Sequence, residues 1–353
     1  MPATARYQLS LLDKSPIPAG ASAEQALAST VRLAQRAEAL GYRRFWLAEH
    51  HSTPTLAGAA PEVLVAHLLA RTRSIRIGSG GVMLQHYSPY KVAEVFKVLA
   101  ALAPGRVDLG VGKAPGGLPL STRALQAGLD TAKRPDFAAL LAELDQWLDG
   151  APPKGHPLHG AQATPLPAES PERVLLGGSP ESAELAARQG WDFCYAGHFN
   201  GDPDNITASV KAFRQRTGRA PMLALFAFAA PTAAAAAAAV GQLSGIRLLL
   251  RNRATGDWHG GQRVNLPTLE AAHEFARQAG VTDFRTETRT PHVVAGTADQ
   301  VRAALDELSA RWGIREFVID IPVPDLAQRA TAVELLAPLP VAEAAPADSL
   351  YTR

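Results

Sequence analysis

"YRRFWLAEHHSTPT", residues 42–55, begins as a strand and ends as chemistry. Its aromatic-rich first half, RRFWLA over 43–48, favours extended backbone. It stops at a carboxylic acid and two adjacent imidazoles, Glu49, His50 and His51. Seven further short apolar runs share that form: YQLSLL (7–12), SIRIGS (74–79), RVDLGV (106–111), RVLLGG (173–178), WDFCYA (191–196), MLALFAFA (222–229) and EFVIDI (316–321). Between them the apolar residues are spaced by three and four, predicting helices over 22–40, 60–70, 90–103, 135–148, 182–189, 204–217 and 298–312. Strands alternating with amphipathic helices predict a parallel sheet with helical crossovers. About eight such units in 353 residues predict one α/β domain over 1–353, a (β/α)8 TIM barrel. A doubly wound sheet competes, but the spacing is even and no linker composition divides the chain.

Hydrophobic residues make up 47% of the chain, enough for a large core, so a disordered protein is excluded. A formal net charge of +2, with both signs interspersed, predicts no nucleic-acid partner. The single cysteine, Cys194, excludes an internal disulfide and a cysteine-based zinc site. The amino terminus has no apolar core of a secretion signal. The stretch PMLALFAFAAPTAAAAAAAV (221–240) is interrupted by Pro231 and Thr232, and predicts a buried strand followed by an Ala-rich helix rather than a membrane span. The expectation is a cytoplasmic protein with no membrane partner.

Two segments break the rhythm. Residues 150–172, rich in Pro, Gly and His, predict a surface excursion before the fifth strand. Residues 243–292 form an insertion between strands seven and eight that includes RNRATGDWHGGQRVN (251–265). A long polar insertion in a barrel predicts a lid. Arg251, Arg253 and Arg263, with Trp258 and His259, are candidates for a cationic, aromatic lid over an acidic or sulfur-containing molecule; a solvated loop is the other reading.

Barrel active sites lie at the carboxyl ends of the strands, where Glu49, His50 and His51 fall. Three readings are open for them: a surface loop, a metal site, and one imidazole transferring protons while its neighbour or Glu49 orients it. Metal ligation from a strand needs a spacing of two, and adjacent histidines point in opposite directions. Lys113, His198 and Asp320 are other polar residues near strand ends. IRIGSGGVMLQHYSP (75–89) ends a strand in Gly78, Gly80 and Gly81, which either seat a flat ligand on bare backbone or make a turn. GRVDLGVGKAPGG (105–117) repeats this with Gly110, Gly112 and Lys113, and matches neither a Walker loop nor a dinucleotide fingerprint. In LLGGSPESAELAARQG (175–190), Gly178 precedes Ser179 at a helix N-cap, Pro180 suits the first helical position, and Ser182 lies in the first turn. Such a terminus caps itself or binds phosphate.

Taken in order, LLDKSPI (11–17), FWLAEHH (45–51), IGSGGVML (77–84), PGRVDLGVGKAPGG (104–117), GGSPESAELAARQG (177–190) and VAGTADQVRAAL (294–305) resemble the bacterial-luciferase-like family of flavin-dependent monooxygenases. The resemblance implies a TIM barrel that uses reduced FMN as cosubstrate, supplied by a separate NAD(P)H:flavin reductase, to oxidise a small organic molecule with O2. It implies a homodimer. It places His50 at the family's catalytic histidine, with Glu49 and His51 beside it, and Gly80–Gly81 at a non-proline cis peptide beneath the flavin. Lys113, Ser179, Ser182 and, less directly, Arg123 fall at the flavin phosphate, Gly112 and Gly178 are further cofactor-binding positions, and His198 faces the flavin pocket. Gln85, His86 and Tyr87 depart from the family pattern, and IPVPDLAQ (321–328) lacks a histidine usual there. A deazaflavin-dependent dehydrogenase on the same barrel, a metal-dependent hydrolase and a flavin-storage or luminescence accessory protein are the alternatives.

Overall fold

The structure, a computed structural model, describes residues 7–152, 154–251, 258 and 263–339. Eight parallel strands close on themselves: β1 (Gln8–Asp13), β2 (Arg44–Leu47), β3 (Arg76–Ser79), β4 (Val107–Gly112), β5 (Glu172–Gly177), β6 (Asp192–Ala196), β7 (Met222–Ala229) and β8 (Glu316–Asp320). β8 pairs back onto β1, with Leu11 opposite Ile319, so no edge strand remains in the barrel. This is the predicted (β/α)8 barrel. The helix Ala23–Leu40 shows why the boundaries were readable: Ser22 and Gln25 form a reciprocal capping box, and Gly41 stops it with a left-handed φ of 84°.

Side chains alternate along a strand, and that alternation organises the barrel interior. On β2 and its extension the inward positions are Arg44, Trp46, Ala48 and His50, ascending from the amino to the carboxyl end. At the bottom, buried Arg44 binds Asp108 at 2.9 Å, Glu172 at 2.7 Å and Glu316 at 2.8 Å, and Ser10 donates to Glu316 at 2.6 Å. Above this ion layer lies a separate apolar cluster of Leu12, Trp46, Val174, Cys194, Met222, Ala224 and Val318. Trp46 occupies the middle and donates its indole N–H to Asp108 at 2.8 Å. The barrel is thus closed from below, and chemistry is left to its upper rim.

Two features differ from the sequence expectation. The helix Leu326–Leu335 follows β8 and buries Arg329, which reaches Asp13 of β1 at 2.6 Å. The insertion is not an irregular segment: Gly245–Leu250, Arg263–Leu266 and Phe284–Arg289 form a three-stranded antiparallel sheet packed on the helix Leu269–Ala279. A short strand, Val294–Gly296, then pairs with β7. Among the described residues no helix is long and apolar enough to cross a membrane.

Candidate active site

The carboxyl-end rim divides into two arcs. On the arc β6–β7–β8–β1–β2, the inward series continues as His198, Phe226, Asp320, Lys14 and His50. Lys14 Nζ lies 2.5 Å from Asp320 Oδ2, though not along a hydrogen-bonding direction, and 4.8 Å from the centre of the Phe226 ring. The His198 ring meets Phe226 at 5.6 Å between centroids, and the His198 backbone N–H donates to the Ala224 carbonyl at 3.1 Å. His50 Nδ1, His198 Nδ1 and Asp320 Oδ2 are buried without a hydrogen-bond partner among the described residues. Burial pushes both imidazoles down to about 4, and Lys14 adds to the effect while Asp320 opposes it. Both rings are therefore neutral at pH 7.

Glu49 and His51 take the outward parity, so the trio splits. Glu49 is buried, accepts from Tyr87 Oη at 2.7 Å and from the Met83 N–H at 3.0 Å, and lies 2.7 Å from His51 Nε2. The expectation that Glu49 or His51 orients His50 is corrected: Glu49 holds His51, and His50 faces Lys14, Asp320 and His198 instead. The Tyr87 hydroxyl is driven well above its ordinary value by burial and by Glu49. His86, one of the departures from the family pattern, is buried with Nε2 2.9 Å from the Pro115 carbonyl.

The other arc, β3–β4–β5, carries the glycines. The Gly80–Gly81 peptide is cis. The idea that the glycines are bare to seat a ligand needs correction at four positions. A Cβ on Gly78 would come within 2.3 Å of the Asp108 carbonyl oxygen, and one on Gly110 within 2.1 Å of that of Ser79. A Cβ on Gly80 would sit 2.7 Å from the Leu12 side chain, and one on Gly81 2.6 Å from the Gly110 carbonyl oxygen. These glycines let neighbouring strands and interior side chains close up. Gly112 differs, since a Cβ there would meet only Met83 Sδ at 3.6 Å, an ordinary contact.

Gly112 pairs with Leu176, so Lys113 and Gly177–Ser179 leave adjacent strand ends together. Ser179 caps the helix Pro180–Gln189 by accepting from the Ser182 N–H at 3.3 Å, and the two hydroxyls lie 3.4 Å apart. The Gly178 carbonyl accepts from Asn205 at 2.7 Å and from Asn200 at 3.2 Å, which turns the N–H of Ser179 the opposite way. Exposed Glu181 is held below the usual carboxylate range, first by the Ser179 side chain. Arg123 points elsewhere: it donates to the Gln278 carbonyl at 3.0 Å, while Gln278 Oε1 accepts from the Leu120 N–H at 2.8 Å. Arg123 thus ties the insertion helix to the segment following β4.

Within the insertion, two guanidinium groups lie over the Trp258 ring, Arg251 at 4.8 Å and Arg285 at 4.5 Å from its centre. Arg263 shares a sheet face with Arg247, Arg285 and Arg289 by register. Arg253 and His259 lie outside the described residues. Among the described residues no three His, Cys, Asp or Glu side chains gather as a metal-holding group. Lys14 was not among the residues expected at the site; the two-residue alternation from Leu12 on β1 to Lys14 just beyond it was the available signal.

A closed parallel barrel with a plugged floor and a polar carboxyl-end rim defines a barrel enzyme. Residues 8–316 match the family model for luciferase-like monooxygenases. The chain is 40% identical over 334 residues to the N-acetyl-S-alkylcysteine monooxygenase of Bacillus subtilis (strain 168), covering 93% of this chain and 97% of that one. It is 42% identical over 208 residues to a luciferase-like monooxygenase of Escherichia coli (strain K12), covering 58% and 59%. The structure of apo-MsnO8 superposes with a TM-score of 0.72 at 31% identity, covering 94% of this chain and 97% of that one. This chain belongs to the luciferase-like monooxygenase family, and it is an oxidoreductase of the flavin-dependent monooxygenase class.

Proposed function

We propose that the chain is the oxygenating component of a two-component system. It takes reduced FMN from a separate NAD(P)H:flavin reductase in the cytoplasm and oxygenates an N-acylated S-alkylcysteine. The observation that carries the substrate is the Bacillus subtilis relative. A match over 93% of this chain leaves out fewer residues than the insertion holds, so it runs into the insertion as well as the barrel. The match to the Escherichia coli relative, over 58%, accounts for much less of the chain.

The rim fits FMN. The Ser179 and Ser182 hydroxyls, the N-terminus of the helix Pro180–Gln189 and the neighbouring Lys113 suit its phosphate. Gly112, beside Met83, is the one rim glycine of β4 where a Cβ would meet no clash, so its bareness is free to serve the ligand. Bound there, reduced FMN supplies the two-electron activation of O2. The protein supplies the rest. His50, neutral at pH 7, holds or passes a proton at Nδ1. The Arg123 and Leu120 contacts with Gln278 keep the insertion docked, which limits water at the rim. The chain acts as a homodimer. Val63, Val98 and Leu102, exposed beside the groove between the helices Pro61–Arg71 and Pro89–Leu102, suit a second copy, and light scattering across a dilution series reads the state.

The test is O2 consumption with a reductase, NADH and FMN. N-acetyl-S-alkylcysteines are expected to stimulate uptake, and His50→Ala is expected to retain flavin binding while releasing hydrogen peroxide. Turnover with reduced deazaflavin and none with reduced FMN overturns the cofactor reading. Full oxygenation by His50→Ala removes His50 from its role.

A further inference from the structure

We propose that Asp320, held by Lys14, is a specificity-determining residue that recognises the amide of the substrate's acylated amine. This rests on the N-acylated S-alkylcysteine reading above. Asp320 Oδ2 accepts the amide N–H, and Nδ1 of His198 donates to the amide carbonyl.

The argument starts from three polar atoms on three separate elements. His50 Nδ1 follows β2, His198 Nδ1 follows β6 and Asp320 Oδ2 ends β8, and each is buried without a hydrogen-bond partner among the described residues. Buried polar atoms are almost always paired, so two unpartnered imidazole nitrogens beside a carboxylate whose one contact is the Lys14 ion pair mark a place where a ligand supplies the partners. The groups lie within one another's electrostatic reach, since Lys14 and Asp320 both act on both imidazoles.

Charge then narrows the ligand. Lys14 already neutralises Asp320, and the two imidazoles carry no charge at pH 7. The niche offers hydrogen bonds but no net charge. A free ammonium would bring an uncompensated cation next to Lys14, and a carboxylate would bring a second anion next to Asp320. A thioether sulfur is a weak acceptor and cannot donate. A neutral group that both donates and accepts is required, and a secondary amide is such a group. The Phe226 ring, beneath Lys14 and beside His198, gives the amide's alkyl substituent an apolar surface.

The test compares binding of N-acetyl-S-methylcysteine with its ester isostere, 2-acetoxy-3-(methylthio)propanoate, which lacks only the N–H, by calorimetry on the full chain saturated with oxidised FMN. The wild-type protein is expected to bind the amide about tenfold or more tightly than the ester, as loss of one hydrogen bond to a charged acceptor implies. Asp320→Leu is expected to bring the ratio close to one, and Lys14→Met to reduce it. Equal wild-type affinities, or an unchanged ratio in Asp320→Leu, overturn the proposal; should Asp320→Leu not fold, the wild-type ratio and Lys14→Met decide. Stimulated O2 uptake by N-acetyl-S-methylcysteine with a ratio near one sinks this inference and leaves the function standing. No binding and no stimulated uptake by any N-acylated S-alkylcysteine overturns both.

Discussion

Glu49 Oε1 lies 2.7 Å from His51 Nε2, two residues along the chain, while His50 between them turns to the other side of the strand's extension. One short run thus serves two purposes. The outward pair fixes the loop, and the inward imidazole enters the rim.

The outward pair makes the first prediction. Glu49→Ala leaves the Tyr87 hydroxyl and the Met83 N–H without their acceptor inside the protein. Urea denaturation is expected to show a loss of about 2–4 kcal/mol. Glu49→Gln keeps an acceptor of similar shape and is expected to lose less. Equal losses would mean that shape rather than hydrogen bonding matters at this position.

Much of this was readable because it is local. Strand and helix periods, the Ser22 capping box and the Gly41 stop lie within a few residues of what they control, and the barrel followed from their alternation. The Lys14–Asp320 contact was not readable, because the two residues come from opposite ends of the chain and meet only when β8 closes on β1. The glycines misled for a similar reason. Nothing near Gly110 in the sequence announces that Ser79 of the neighbouring strand will press on it. The insertion's strands were missed because polar and charged residues dominate Phe284–Arg289, where only the alternation of side chains marks a half-exposed sheet.

Acid is expected to weaken the fold through the inward imidazoles. Burial holds His50 and His198 at about 4, against about 6.5 for an unfolded chain. Between those values the unfolded state binds protons that the folded state refuses, so stability present above pH 6.5 is lost as pH falls toward 4. The loss is on the order of 3 kcal/mol for each ring at most. Urea midpoints measured from pH 7 to 4 check this, and a His50→Asn, His198→Asn double variant is expected to show a flatter curve. Parallel curves would place the acid sensitivity elsewhere.

The ion layer under Trp46 predicts a stability defect remote from the rim. Arg44→Met removes the one cation that joins all three of Asp108, Glu172 and Glu316, leaving Arg76 on the first two and Arg43 on the third. Breaking one side of a buried network costs about 3–5 kcal/mol. Thermal unfolding is expected to record that loss, while the affinity of the protein that remains folded for FMN stays at the wild-type value. Weaker FMN binding would couple the floor of the barrel to its rim.

Gly110 and Gly112 share a strand and an inward direction, and alanine separates them. At Gly110 the new methyl meets the Ser79 carbonyl oxygen at 2.1 Å, so the strands must part; Gly110→Ala is expected to give little soluble folded protein. At Gly112 the methyl meets only Met83 Sδ at 3.6 Å, so Gly112→Ala is expected to fold with a nearly unchanged melting temperature and to bind FMN more weakly. Normal FMN affinity in Gly112→Ala would move the flavin away from that strand end.

The phosphate end of the proposed flavin site is tested best at Ser182. Ser179 also caps the helix, so Ser179→Ala mixes a loss of about 1 kcal/mol in helix stability with any effect on the ligand. Ser182 contributes its hydroxyl without being the cap, and its N–H still bonds to Ser179 after the change. Ser182→Ala is expected to weaken FMN binding by about tenfold, the size of one charge-assisted hydrogen bond. Riboflavin, which has the ring and no phosphate, should bind the variant and the wild-type protein alike. Fluorescence titration with both ligands separates the outcomes: a loss for FMN alone locates the phosphate at this helix, and an equal loss for both locates the ring there instead.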